Sequence, residues 1–480
     1  MDATSLHDER LRPQRPNRLG HAMGGLVGRT VRVARSWSAA AATLAALASG
    51  SAVLLNSQEA AAQSAEMGLP PIAQDRGLRT GEFTLYPSMG LMTHYDTNLF
   101  NGSDKENNAP VGATSLRFIP RLSLMNDGNG NVNFAFAGTG DARLYISDNA
   151  IVSDQKAVGG NLNLDVTFGQ KRSMSLTLFN YFNRALRTNN WATIETLNRV
   201  ANDVGARIEF HPGDIPERRP FNIAIGGSYA IDAFDNFTVG NTTMIRTKLA
   251  GSWRFLPKTA AVLDATWDFR KYESSTLAKQ GLAADSKPFR ARLGLTGALT
   301  KRISAQALAG WGLSTHSTGS SYNGFLGSLG VGLRASESTR LYLTYDHDFV
   351  DSFFGNFVAY HRFGVSLKQR FGNVLDVTGS FGTRLMSFGV IEPKGVLASG
   401  LSSSCDGAVA GKSGCRSDTG MDAALVAAFE LHRLVGMNIG WNMRKVITNF
   451  KVLSAANSSL VLDVGEYTAH EIYATVVLRY

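Results

Sequence analysis

Residues 468–480, TAHEIYATVVLRY, place Ile472, Ala474, Val476, Leu478 and Tyr480 at every second position, with Glu471, Tyr473, Thr475 and Arg479 between them. An apolar set with period two lies on one face of an extended strand, whereas a helix scatters such residues around its axis. The pattern recurs upstream. In NLNLDVTFG, 161–169, Leu162, Leu164, Val166 and Phe168 oppose Asn163, Asp165 and Thr167. In SMSLTLFNYF, 173–182, the apolar set is Met174, Leu176 and Leu178; in FRARLGLTGAL, 289–299, Phe289, Ala291, Leu293 and Leu295 oppose Arg290, Arg292 and Thr296.

Such segments of about ten residues recur eighteen times from residue 82 onward, a count good to within two, so that 16–18 strands are predicted. The spacers alternate. Short, turn-like ones begin near 127, 169, 211, 256, 300, 335, 371 and 434, and longer ones include 96–112, 186–196, 273–286, 389–420 and 451–465. Tight turns at one end, long loops at the other and an even strand count predict an all-β fold: a transmembrane, antiparallel, up-and-down β-barrel. A soluble sandwich or propeller also alternates, but no repeat of blade length is present. A sandwich would also have to explain why the polar face carries charges on nearly every strand.

Composition fits the same reading. The 480 residues are 44% hydrophobic and 18% charged, with 49 glycines and a mean hydropathy of -0.08. Charge is below and glycine above what soluble domains use. Past residue 62 no apolar run approaches the ~18 residues of a spanning helix. With lipid in place of a protein core, half of each strand is free to be polar and the mean hydropathy falls near zero. Inward glycines such as Gly310, Gly312, Gly330 and Gly440 leave space and permit curvature.

The N-terminal region reads as an export signal. Seven arginines (Arg10, Arg12, Arg15, Arg18, Arg29, Arg32 and Arg35) precede the run SAAAATLAALASGSAVLL and then QEAAAQSA. A basic region, an apolar region and small residues in that order describe a signal peptide. Residues 1–62 are assigned to it, with cleavage after Ala62 and Met23 as an alternative start. No Arg-Arg pair precedes the apolar run, which favours the general secretory route. Residues 63–81 then form a short periplasmic segment and 82–480 the barrel. About 20 residues before Phe83 leave no room for a plug domain.

The C-terminal set Ile472, Ala474, Val476, Leu478 and Tyr480 resembles the assembly signal read by the barrel assembly machinery on the last strand of bacterial barrels. The stretch TLYPSMGLMTHYDTNLF, 84–100, resembles the first strand and loop of a proteobacterial family of outer-membrane β-barrel porins whose members carry a Tyr-Asp-x-Asn element; Tyr95, Asp96, Thr97 and Asn98 match it. The resemblance spans about 82–480. It implies a Gram-negative outer-membrane location and a porin-like fold, with lipid, lipopolysaccharide, periplasmic chaperones and the assembly machinery as partners. It does not name a solute.

Facing the apolar set to lipid turns Arg117, Arg121, Arg143, Arg207, Arg246, Lys248, Arg254, Arg290, Arg292, Arg334, Arg362, Lys368 and Arg384 inward, with Asp264 and Asp268 among the opposing carboxylates. Rings of arginine favour anions in a pore. Cross-strand pairing into a rigid network is the competing reading, with Arg340 expected to pair with Asp346 and Asp264 with Arg270. An 18-strand barrel is wide enough for an aqueous channel unless obstructed. The obstruction is expected from an inward-folded loop, with 389–420 the longest candidate. That loop holds Cys405 and Cys415, the chain's two cysteines. In an oxidising envelope a disulfide closing this short loop would contribute roughly 3 kcal/mol.

Catalysis is not expected. Asp346 and Asp348 share a strand face while His347 points away; His94 and Asp96 share a face, but no G-x-S-x-G elbow accompanies them. No C-x-x-C or H-E-x-x-H spacing suggests a metal, and no cofactor is implied. The net charge of +9 owes part of its value to the export segment and is otherwise spread over strands, so nucleic acid is not an expected partner. The function predicted is a porin-like channel for passive diffusion or export of hydrophilic solutes, anions or saccharides among them, with passage of a secreted polysaccharide included. A non-conducting barrel serving adhesion or anchoring is the alternative.

Overall fold

The computed structural model describes residues 77–102, 109–126, 131–153, 157–188, 197–212, 220–235, 237–275, 283–353, 355–389, 401–405, 416–448, 450–454, 457–462 and 466–480. The chain divides into units 1–51 and 52–480, and all of these residues belong to the second. The export segment therefore lies outside the described residues.

Eighteen long strands form the wall: β1 (Phe83–Asp96), β2 (Ala113–Asn126), β3 (Val132–Ile146), β4 (Ala157–Phe168), β5 (Met174–Thr188), β6 (Leu197–Phe210), β7 (Phe221–Phe234), β8 (Thr242–Leu256), β9 (Thr259–Tyr272), β10 (Ser286–Ala298), β11 (Ile303–His316), β12 (Tyr322–Arg334), β13 (Thr339–Asp351), β14 (Phe357–Phe371), β15 (Leu375–Phe388), β16 (Ser417–His432), β17 (Val435–Thr448) and β18 (Tyr467–Arg479). Each is antiparallel to its sequence neighbours, and β18 returns to pair with β1 from Ser88↔Arg479 to Asp96↔Glu471, so the sheet is closed. A three-residue strand, Leu78–Thr80, folds back on the start of β1. Segments 401–405, 450–454 and 457–462 make a separate small sheet among the long loops.

The two faces of the wall differ as the alternation requires. On β10, Leu293 is 62% exposed while its neighbour Arg292 is 4% exposed. The outer face is apolar around the circumference, with exposed Leu91, Leu116, Leu144, Leu178, Ile225, Leu329 and Leu425. Aromatic residues cluster toward both ends of it. Phe83, Phe168, Phe210, Trp253 and Phe371 lie at the short-turn end, and Tyr95, Trp267, Phe269, Phe289 and Phe325 toward the loop end. An apolar band between two aromatic girdles is the outer surface of a membrane-spanning barrel. Closure matters there, because an unpaired strand edge in hydrocarbon is prohibitively costly.

Two devices close the seam between the chain's ends. Tyr473 on β18 lays its ring over Gly440 on β17, where an added Cβ would stand 2.1 Å from the ring, and it packs with Met92 of β1 and Ile119 of β2 inside the barrel. Beyond the last ladder pair, the backbone of Thr97 donates to the His470 carbonyl at 2.9 Å, and the His470 amide donates to Thr97 Oγ1 at 2.9 Å. Asn98, 1% exposed, donates through Nδ2 to the carbonyls of Gly102 (2.8 Å) and Thr468 (3.1 Å) and accepts the Gly102 amide at 2.7 Å. Asp96 accepts the Asn98 amide at 2.8 Å. The Tyr-Asp-x-Asn element is thus a clasp between the first and last strands.

Candidate functional site

The lumen is crossed by charged side chains from many strands. On β2 and β3, Arg117 makes two bonds to Asp141 (Nε–Oδ1 3.0 Å, Nη2–Oδ2 2.6 Å), and Arg143 joins the same carboxylate at 2.9 Å. A longer chain of pairs runs from β6 to β13. Arg246 on β8 bridges Asp203 on β6 (3.2 Å) and Asp268 on β9 (3.3 Å). Arg292 on β10 reaches Asp264 on β9 (3.0 Å) and Asp348 on β13 (3.6 Å), and Arg290 reaches Asp348 at 3.2 Å. Arg270 on β9 pairs with Asp351 at 3.2 Å, and Ser286 Oγ donates to the same carboxylate at 2.7 Å.

The pairs from β9 and β10 to β13 skip over β11 and β12, and the sequence of those two strands explains how. Their lumenal positions include Gly310, Gly312, Gly324 and Gly330, which leave room over these strands beside Leu308, Tyr322 and Leu326. Into this space folds the loop end of the β13–β14 hairpin. Phe349 is fully buried against Tyr322 (ring centroids 4.1 Å apart, planes at 23°), and a Cβ at Gly312 would stand 2.6 Å from its ring. The Arg290 guanidinium sits 4.2 Å over the other side of Phe349 and donates to its carbonyl at 2.7 Å. Further along, Phe353 meets Phe234 of β7 and Phe237 with centroids at 5.6 and 5.1 Å, and Tyr272 of β9 at 6.4 Å. Phe353 thus joins a buried cluster with Val358, Tyr360, Met386 and Phe388. The hairpin end reaches across the lumen from β14 toward β7, held by ion pairs on one side and rings on the other.

The residues named from sequence alternation occupy unequal environments. Arg117, Arg246, Arg290, Arg292, Asp264 and Asp268 are paired and at least partly buried. Arg207 and Lys248 lie in the same region, with Arg207 Nε lacking a hydrogen-bond partner among the described residues. Arg362 is the cross-strand neighbour of Asp346, and Arg384 stands 5.2 Å over the Tyr360 ring. Arg121 is partly buried opposite Ser88. Arg254 and Arg334 are exposed at the short-turn mouth, and Lys368 joins Asp376 there at 3.0 Å, away from the hairpin.

Two expected pairings are corrected. Arg340 and Asp346, like Asp264 and Arg270, are six residues apart on one strand, roughly 20 Å along it, and do not pair. Asp264 instead takes Arg292 from the next strand, and Arg270 takes Asp351 from the hairpin. Among the described residues it is the end of the β13–β14 hairpin that enters the lumen; most of 389–420, and the pairing of Cys405 with Cys415, lie outside the described residues. His94 and Asp96 share the inner face of β1, each with its own partner: His94 lies 3.7 Å from Glu471, and Asp96 serves the Asn98 clasp.

Fold and site define a membrane-spanning β-barrel of the outer-membrane type, with a constricted and charge-paired lumen. No protein-family model and no curated protein matches the chain. Among solved structures it is similar to the outer membrane protein OpdK from Pseudomonas aeruginosa (10% identity, TM-score 0.46, covering 82% of this chain and 99% of that one). It is also similar to OpdQ from the same organism (10%, 0.45, 82% and 98%) and to OccAB3 from Acinetobacter baumannii (11%, 0.45, 82% and 99%).

Proposed function

We propose that the protein is a porin-like channel of a Gram-negative outer membrane that passes hydrophilic solutes, anions and saccharides among them. The observation that carries this reading is the hairpin end folded across an otherwise wide lumen and tied to a ladder of arginine–aspartate pairs. A barrel serving only as an anchor has no use for an inward constriction lined by hydrogen-bonding groups. Such a constriction in a water-filled barrel selects solutes by size and by polar contact. Proteoliposomes carrying the full-length protein are expected to swell when moved into isotonic arabinose or potassium gluconate. Absence of swelling in both would favour adhesion or anchoring instead.

The same reading assigns residues 1–62 as a cleaved signal peptide, 63–81 as a periplasmic lead-in, and Cys405–Cys415 as a disulfide formed after export. Delivery would involve periplasmic chaperones and the assembly machinery acting on Ile472, Ala474, Val476, Leu478 and Tyr480, and lipopolysaccharide would surround the loop end. The intact mass of the purified protein, measured with and without reduction before alkylation, checks both covalent assignments. A mass that retains residues 1–62, or alkylation of both thiols without reduction, would refute the corresponding one.

A further inference from the structure

The wall is not hydrogen-bonded along its full height. The ladder between β12 and β13 ends at Gly327↔His347. The flanking ladders continue toward the loops, to Ser314↔Tyr322 between β11 and β12 and to Asp351↔Phe357 between β13 and β14. Five residues of β12, Tyr322–Leu326, therefore face β13 with no ladder pairing, over about 17 Å of strand. Above this stretch the two hairpins are tied again. Asn356 Nδ2 donates to the carbonyls of Thr318 (2.7 Å) and Ser320 (3.0 Å), and Ser320 Oγ donates to the Gly355 carbonyl at 3.1 Å.

Inside that frame the wall is a lap joint. Phe349, Phe357 and Ala359 come from the outward-facing positions of the β13–β14 hairpin, and they pack on the inward-facing Tyr322 and Leu326 of β12. Tyr322 stacks on Phe349 and meets Phe357 edge-on at 5.3 Å. Its phenol donates to the Phe325 carbonyl at 3.2 Å. Outside, Phe325 is 51% exposed within the loop-end aromatic girdle, so the joint faces the membrane leaflet on that side. On the lumen side the Arg290 guanidinium caps Phe349.

We infer that this joint is a lateral portal through which small uncharged aromatic molecules pass between the lumen and the adjoining leaflet. Parting a fully laddered stretch of wall would strand ladder amides and carbonyls in hydrocarbon. Parting this one breaks no ladder pair of Tyr322–Leu326 with β13; it separates rings and aliphatic side chains, whose contacts an aromatic guest replaces in kind, below the side-chain ties of Asn356 and Ser320. The inference does not depend on straight-through conduction, because the two routes have different readouts.

The test uses cells expressing the full-length protein with Cys405→Ser and Cys415→Ser, and cysteines at Leu326 and Phe349 joined by oxidation or a short bifunctional maleimide. The probe is N-phenyl-1-naphthylamine, a neutral aromatic dye that an intact lipopolysaccharide leaflet excludes and that brightens in lipid. Closure of the joint is expected to slow dye entry on the order of tenfold, because the ladder-free joint no longer parts. Potassium chloride current through the same purified variant in a planar bilayer is recorded alongside, as the readout of the straight-through route. Phe349→Ala, which needs no cross-link, is expected to speed dye entry. A barrel with no current but with these dye effects would defeat the channel reading and keep the portal. Dye entry indifferent to both cross-link and Phe349→Ala would overturn the portal.

Discussion

Replacing Asp348 and Asp351 together by alanine is expected to convert a weakly conducting, weakly selective barrel into one that conducts more and strongly prefers anions. The two carboxylates are buried and hold three arginines from β9 and β10: Arg270 at 3.2 Å, Arg290 at 3.2 Å and Arg292 at 3.6 Å. Without them, the hairpin end keeps its ring contacts and the Asn356 tie but loses its polar latch. Three guanidinium groups are then left beside the hairpin end inside the lumen, with Asp264 still paired to Arg292. Buried charge without a partner is expensive, and a mobile chloride is the cheapest partner to hand. The chloride-to-potassium permeability ratio, read from reversal potentials, is expected to rise on the order of tenfold. An unchanged ratio in a variant that still folds would mean that these pairs do not line the ion path.

The second large effect concerns assembly. Asn98→Ala removes three hydrogen bonds at a residue 1% exposed, and it strands the Gly102 amide and the carbonyls of Gly102 and Thr468 where the chain's two ends meet. At about 1 kcal/mol each, the loss is roughly 3 kcal/mol. It falls at the point where β1 and β18 would otherwise fray. The urea midpoint of the folded barrel, followed by the heat-dependent shift in gel migration, is expected to drop accordingly, with the ion current of the remaining folded fraction unaltered. A midpoint equal to that of the parent would mean that the clasp plays no part in holding the barrel closed.

Much of this molecule is legible in its sequence because a barrel strand has only two faces. Once Leu293 is assigned to lipid, Arg292 must face the other side of the wall, where it is buried and paired with Asp264. The rule fails where the chain leaves the wall. Alternation puts Phe349 outside with Tyr345 and His347, yet Phe349 is buried inside, because the hairpin bends inward and lays its outer face on β12. The inward glycines of β11 and β12 were readable as space, but nothing local says that the ring filling it comes from 349. Pairs such as Arg290 with Asp348, 58 residues apart and three strands away, depend on that bend. The Tyr-Asp-x-Asn element could be recognised as a motif. Its role as a clasp emerges only when Thr97 and Asn98 are set beside Thr468 and His470.

Single-channel recording of the purified full-length protein in a planar bilayer tests the central claim most directly. Discrete potassium chloride steps are expected, clearly smaller than those of the Asp348→Ala/Asp351→Ala variant, because the hairpin end narrows the lumen. No steps at all, or steps already as large as the variant's, would contradict a constricted channel.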